Sequence, residues 1–193
     1  VRVMAVDNDP QGNLTSSFLE NRDQLKANIV KAYEGNPIEP EPISKSLHLV
    51  GSDISLAPIA ERDFQVIFRL KEVINKLNRA SDLPAYDFVI IDFPPSASLL
   101  SQNGLLFCRE LIVPVSMDYL ALMGTRQVIE TLKEIGRIPD HQLRLSLVVP
   151  TFFYGRLRKD RAVINTLYKY FNKQVADPIR ANVKLAEAPG HHK

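Results

Sequence analysis

The sequence predicts a three-layer, doubly wound α/β fold with a mostly parallel sheet, and three observations carry that reading. Short apolar runs recur along the chain, and segments with helical spacing alternate with them. One run, FVII at 88–91, is continuously apolar and too short for a helix, the pattern of a central parallel strand buried on both faces. The third observation is how the runs end: Asp7 follows the first, and Asp92 with two prolines stops FVII.

The elements follow in order. VRVMAV at 1–6 is β-branched and bounded by a turn, so it reads as a buried strand. SSFLENRDQLKANIVKAY at 16–33 shows mixed helical spacing. EGNPIEPEPISKS at 34–46 carries three prolines and reads as a surface loop. LHLVGS at 47–52 is a short strand. LAPIAERDFQVIFRLKEVINKLNRA at 56–80 places Phe64, Ile67, Phe68, Leu70, Val73, Ile74 and Leu77 at helical spacing, with Pro58 near its start. ASLLSQNGLLFC at 97–108 reads as a helix and ELIVPVS at 110–116 as a strand. ALMGTRQVIETLKEIGRI at 121–138 has an amphipathic pattern. LRLSLVVPTFF at 143–153 is a further buried strand, and RKDRAVINTLYKYFNK at 158–173 a helix with a basic start. The last stretch, VADPIRANVKLAEAPGHHK, is broken by prolines.

Composition bounds the function. The 193 residues suffice for one ordinary domain with a sizeable core. The net charge is +2, from 24 basic and 22 acidic side chains, so any case for nucleic acid must rest on local clustering. A single cysteine, Cys108, excludes an internal disulfide and reads as a small core residue. No apolar stretch approaches the ~20 residues that span a bilayer. His141, His191 and His192 show no metal-ligand spacing.

Chemistry is expected beyond the carboxyl ends of the strands, where open parallel sheets bind ligands. Asp7, Asp9 and Asp92 fall there, with Asp118 after a later strand. A strand-end aspartate is suited to Mg²⁺, a hard cation that takes oxygen ligands and is often reached through water. A second aspartate could orient an attacking water. Capping of turns and helices is the alternative reading of each acid. A glycine-rich loop ending in GK[ST] would supply phosphate donors, and no such sequence occurs in the chain.

Three blocks then carry a resemblance. VMAVDNDPQGNLTSSF, the stretch running from YDFVIIDFPPS to QVIETL, and DPIRANVKLAEAPGH resemble, in order, segments of the ParA/Soj-type partition ATPases, P-loop NTPase-like proteins related to MinD. LHLVGSDISLA resembles the linking strand. The likeness covers nearly the whole chain. It implies ATP or ADP and Mg²⁺ as ligands. Asp9 would position or activate water, and Asp92 would hold Mg²⁺ through water. Asp7, Pro10, Gln11 and Gly12 would shape the first switch loop, and Pro94, Pro95 and Ser96 the second. Pro150, Thr151 and the segment from Ile179 to Asn182 would lie near the adenine. Tyr119 and Met123 would pack near a dimer surface.

The family's lysine-bearing phosphate loop, placed upstream of the DPQGN block, has no counterpart here. The expectation is a single α/β ATPase-like domain over 1–193 that lacks its first strand, phosphate loop and last elements, with weak or no ATP hydrolysis by itself. The resemblance further implies an ATP-dependent homodimer, a centromere-binding ParB-like partner, and a cytoplasmic, nucleoid-associated location. Nonspecific DNA would be bound through the basic cluster GRLRKDR at 155–161, with Arg156, Arg158 and Lys184 as contacts, although a solvated helix start explains the cluster as readily. The rival readings are a MinD-like membrane-cycling ATPase and a non-hydrolysing scaffold of the same fold.

Overall fold

A computed structural model of the chain describes residues 1–21, 25–61, 69–80, 85–95, 98–118, 124, 130, 135, 138 and 141–191. It divides into two compact units, one of residues 1–107 with 187–193 and one of residues 108–186.

In the first unit, strand β1 (Val3–Asp7) is central. It pairs in parallel with β3 (Leu47–Val50) on one side and β4 (Phe88–Asp92) on the other. The two-residue β2 (Glu41–Pro42) adds antiparallel to β3. The order β2-β3-β1-β4 makes β1 a switch point: the chain winds from β1 to one side, then crosses to the other. Pro42 has no N–H for a ladder, so its edge position is the one a sheet tolerates. The proline-rich loop of the sequence thus contains this short edge strand.

Helix α1 (Asn13–Phe18) and helix α2 (Val30–Tyr33) fall in the segment of mixed helical spacing, which is not one continuous helix. Between them, Asn28 bridges to Gly51 in parallel, Gly51 N–H donates to Ala27 O at 2.8 Å, and Ile29 N–H donates to Gly51 O at 2.9 Å. Those sheet-like bonds take the backbone groups that a helix would need. A 3₁₀ turn over Ile54–Glu61 contains Pro58. Helix α3 (Arg69–Ala80) buries Leu70, Val73 and Ile74, the i, i+3, i+4 stripe of an amphipathic helix. Phe64, Ile67 and Phe68 lie outside the described residues. The core gathers Met4, Val6, Ile29, Tyr33, Leu49 and Leu100, each essentially without exposure. Each such apolar side chain contributes roughly 1.5–3 kcal/mol.

Helix α4 (Leu99–Phe107) lies under the turn that follows β4. Gly104 permits that approach: a Cβ there would stand 2.5 Å from the Phe93 ring. Gly104→Ala is expected to cost about 1 kcal/mol in urea unfolding, at the low end for overpacking because the ring edge can swing. An unchanged midpoint would show that Phe93 does not rest on α4.

One expectation is corrected here. The run FVII forms β4 but is not a central strand buried on both faces. β4 ends the pairing order, and Phe88 and Ile90 are each 60% exposed. Among the described residues nothing covers that face, whereas Val89 and Ile91 point to the packed side.

In the second unit, β5 (Glu110–Ser116) and β6 (Arg144–Thr151) pair in parallel. β6 is less buried than its sequence suggests, with Leu147 and Arg144 exposed and Val148 and Pro150 inside. Helix α5 (Arg158–Phe171) turns Val163 and Leu167 onto a core with Val115, Met117 and Val148. Helix α6 (Val183–Glu187) follows. Most of the 121–138 amphipathic segment lies outside the described residues. Cys108 is half-buried, and burial pushes its thiol up to about 11, as suits a packing residue rather than a nucleophile.

Candidate nucleotide and metal site

The carboxyl ends of β1 and β4 carry the acids. Asp7 and Asp92 are direct partners in the parallel register, and Asn8 N–H donates to Asp92 O at 3.0 Å, prolonging the pairing by one residue. Residues 85 positions apart in the sequence are thereby placed side by side by strand pairing, at the switch point where a doubly wound sheet opens a crevice.

The two partners have different surroundings. Asp7 is fully buried, and its carboxylate accepts three hydrogen bonds: from Thr15 Oγ1 at 2.7 Å, Thr15 N–H at 2.8 Å and Asp9 N–H at 3.2 Å. Thr15 Oγ1 in turn accepts Ser52 N–H at 2.8 Å, which ties the end of β3 to the start of α1. Asp7 is thus spent on holding the loop.

Asp9 sits higher in the loop and is 8% exposed. Its Oδ1 accepts Gln11 N–H at 2.9 Å, an Asx turn, and its carbonyl accepts Gly12 N–H at 2.9 Å. Gly12 has φ 63°, ψ 34°, a left-handed conformation that glycine adopts without penalty, and it leads directly into α1. Pro10 and Gln11 form the outer part of the turn.

Asn8, between the two acids, faces inward. Its Oδ1 accepts the buried Tyr33 hydroxyl at 2.7 Å, and its Nδ2 donates to Leu100 O at 2.8 Å. One side chain therefore links the β1 loop to α2 and to α4. Burial holds the Tyr33 phenol far above its ordinary range, and the Asn8 bond pulls it back only in part.

Asp92 differs again. It is open to solvent at the strand end, and partial burial, then the negative charges of Asp7 and Asp9, raise its carboxyl above the usual range; the Phe93 backbone N–H lowers it by less. The sign of the linkage follows. A carboxyl raised in the folded state binds its proton more tightly there than in the unfolded chain, so stability falls as pH rises from about 4 through the raised value. Asp92→Asn is expected to raise Tm at neutral pH and to flatten the pH profile in that interval. An unchanged or lowered Tm in differential scanning calorimetry would count against the repulsion.

The donor set is all oxygen, which suits Mg²⁺ rather than a softer metal. Asp92 has an exposed carboxylate for such an ion, and Asp9 has its second oxygen. Among the described residues no group of three His, Cys, Asp or Glu side chains encloses a metal, so water and phosphate oxygens would complete any coordination. Phosphate donors are another matter. No Lys or Arg occurs in 7–19 or in 88–107, so these two strand-end segments bring acids and no cation.

Pro94 and Pro95 follow Asp92 in the turn before α4, while Ser96 lies outside the described residues, as do Tyr119 and Met123. In the second unit, Asp118 accepts from Ser116 Oγ at 3.2 Å. Pro150 and Thr151 end β6, and Pro150 O accepts Ile179 N–H at 2.8 Å. Asn182 Oδ1 accepts Lys184 N–H at 2.9 Å, the pattern of a helix cap at the start of α6. In the basic cluster, Lys159 donates to Met117 O at 2.7 Å and lies 3.4 Å from buried Asp160 Oδ1, and Arg161 Nε donates to Gly155 O at 3.1 Å. Arg156, Arg158 and Lys184 are exposed. Sequence reasoning left Asn8, Thr15 and Tyr33 without roles. Thr15 stands eight residues from Asp7 and Tyr33 25 from Asn8, spacings with no local signature.

A doubly wound, largely parallel sheet with aspartates paired at its switch point defines the class of α/β nucleoside triphosphatases. Comparison with known proteins narrows the class. The AAA domain family matches residues 1–145. The sporulation initiation inhibitor protein Soj of Bacillus subtilis (strain 168) is 31% identical over all of this chain and 77% of its own length. The chromosome-partitioning ATPase Soj of Thermus thermophilus is 32% identical over all of this chain and 74% of its own. The structure of cobyrinic acid a,c-diamide synthase from Mycobacterium smegmatis with bound ATP analog and magnesium aligns with TM-score 0.79 and 29% identity, covering 98% of this chain and 79% of that one. The chain belongs to the ParA/Soj-type P-loop partition ATPases, within the AAA domain family. Among the described residues no helix is long and apolar enough to cross a membrane.

Proposed function

We propose that this chain works as a ParA-like partition ATPase module that binds ATP with Mg²⁺ at the carboxyl ends of β1 and β4 and is controlled by it. The observation that carries the reading is the register pairing of Asp7 with Asp92 at the switch point of the sheet, in a chain related to Soj along its whole length. Asp92 would hold Mg²⁺ through water, and the ion would offset phosphate charge. Asp9 would orient the attacking water. Asp7, Pro10, Gln11 and Gly12 shape the first loop, and Pro94, Pro95 and Ser96 the second. ATP closes a homodimer that coats DNA nonspecifically through Arg156, Arg158 and Lys184. A ParB-like, centromere-bound partner triggers hydrolysis, and ADP release resets a cytoplasmic, nucleoid-associated cycle.

The absence of cations from both strand-end segments and of a GK[ST] loop from the chain sets the expected activity. Turnover by these 193 residues alone is near background, and Mg²⁺-dependent binding of a fluorescent ATP analogue is weak and falls about tenfold in Asp92→Ala, the loss of one charged contact. Robust turnover that Asp9→Ala abolishes would overturn the low-activity expectation. The same missing donors support a second reading, a non-hydrolysing scaffold of this fold. Complete failure to bind nucleotide, with DNA binding retained, would favour it.

A further inference from the structure

Asn8 holds both ends of the connection between β4 and α4. Its backbone N–H donates to Asp92 O at 3.0 Å, at the end of β4. Its side-chain Nδ2 donates to Leu100 O at 2.8 Å, in the first turn of α4. Asn8 is fully buried, and its Oδ1 is taken by the Tyr33 hydroxyl at 2.7 Å. A further contact falls at the same place. A Cβ on Gly104 would stand 2.5 Å from the Phe93 ring and 3.5 Å from Asn8 Nδ2, so the bare glycine admits the ring and the amide together. The backbone that carries the exposed acid is therefore fixed twice: the Asp92 carbonyl by Asn8, and the next ring by α4.

Charge opposes this arrangement. Asp7, Asp9 and Asp92 gather at the strand ends, and no Lys or Arg in 7–19 or 88–107 offsets them. Like charges at such range push apart, the more so where water is excluded. Asp7 is held by its three donors and Asp9 by its Asx turn. The Asp92 carboxylate instead takes the N–H of its own neighbour, Phe93. Its placement follows the Asp92–Phe93 backbone, and that backbone follows Asn8.

We infer that Asn8 is a positioning residue for the cation: it sets where the Asp92 carboxylate stands, and so how well that carboxylate holds Mg²⁺ through water. Groups that orient a metal-holding side chain without touching the ion typically govern affinity by about 10- to 100-fold. The two side-chain bonds of Asn8 then have different uses. The one to Leu100 O serves the site, and the one from Tyr33 serves the fold. The inference deepens the nucleotide reading above and rests on it for the ion.

Two variants separate those bonds. Tyr33→Phe loses the bond from Tyr33 alone. Asn8→Leu/Tyr33→Phe loses both bonds and leaves no hydroxyl stranded, so the fold is kept. A fluorescent ATP analogue is titrated with and without Mg²⁺. In Mg²⁺ the double variant is expected to bind about tenfold more weakly than wild type, as Asp92→Ala does. Without Mg²⁺ it should match wild type, and combined with Asp92→Ala it should add no further loss. Tyr33→Phe should bind as wild type does. Hydrogen exchange on the ligand-free chain should quicken in the double variant, and not in Tyr33→Phe, at Phe93 and at Gln102, whose N–H donates to Ser98 O at 3.1 Å. Undiminished binding in Mg²⁺ would overturn the inference, as would a loss that is equal without Mg²⁺ or additive with Asp92→Ala, because Asn8 would then be purely structural. Wild-type exchange at both amides in the double variant would overturn it as well. In each of these cases the nucleotide reading stands. If wild type itself shows no Mg²⁺-dependent binding, that reading falls and the inference with it.

Discussion

Asp7→Ala is expected to cost about 3 kcal/mol of folding stability. The Asp7 carboxylate is fully buried and accepts from Thr15 Oγ1, Thr15 N–H and Asp9 N–H. Alanine leaves those donors inside without an acceptor, and each orphaned group costs about 1–3 kcal/mol, less whatever water can recover. The loss extends to Ser52, whose N–H depends on Thr15 Oγ1 staying in place. Asp7→Asn keeps the shape but turns a donor towards Thr15, so it should fall between wild type and alanine. Urea unfolding reads both. If Asp7→Asn unfolds at the wild-type midpoint, the acceptor pattern is not what holds the loop. The contrast with Asp92→Asn is the point: its register partner should stabilise when neutralised, because Asp92 bears the repulsion and Asp7 has the donors.

The second large effect is expected at Asn8. Asn8→Leu preserves volume but strands the Tyr33 hydroxyl in a buried setting and removes one bond from Leu100 O, at a cost of about 2–3 kcal/mol. Tyr33→Phe removes one of the two bonds and should cost about 1–2 kcal/mol. Because Asn8 and Tyr33 share a bond, the double variant should lose less than the two losses added, by about 1 kcal/mol. Strict additivity in chemical denaturation would mean that the hydroxyl and the amide do not depend on each other. Asn8 joins the β1 loop, α2 and α4, and Gly104 of α4 seats Phe93 beside Asp92. Both strand-end loops are thus fixed against one helix.

Much of this was legible in the sequence. The apolar runs that became β1, β3, β4, β5 and β6 stand out because burial selects β-branched and aliphatic side chains along a short stretch. Parallel pairing followed from the helical segments between them. That Asp7, Asp9 and Asp92 would stand at strand ends followed from where those runs stop. The segment 16–33 shows the limit: its helical spacing is real, but the bonds between Gly51 and the backbone of Ala27 and Ile29 interrupt it. FVII shows another. A continuous apolar run records what a strand can bury, not which of its faces is covered, and Phe88 and Ile90 are exposed on β4.

The site divides along the same line. By itself the sequence determined that acids end the strands and that a glycine turns the chain after Asp9, since both are local properties of residue type and order. Only the tertiary structure decided that Asp7 turns inward to Thr15 while Asp92 stays open, and that Asn8 holds Tyr33 and Leu100. Those outcomes depend on groups far apart in the chain competing for the same few hydrogen bonds and the same buried volume. That competition has no period or spacing, so it exists only once the strands have paired.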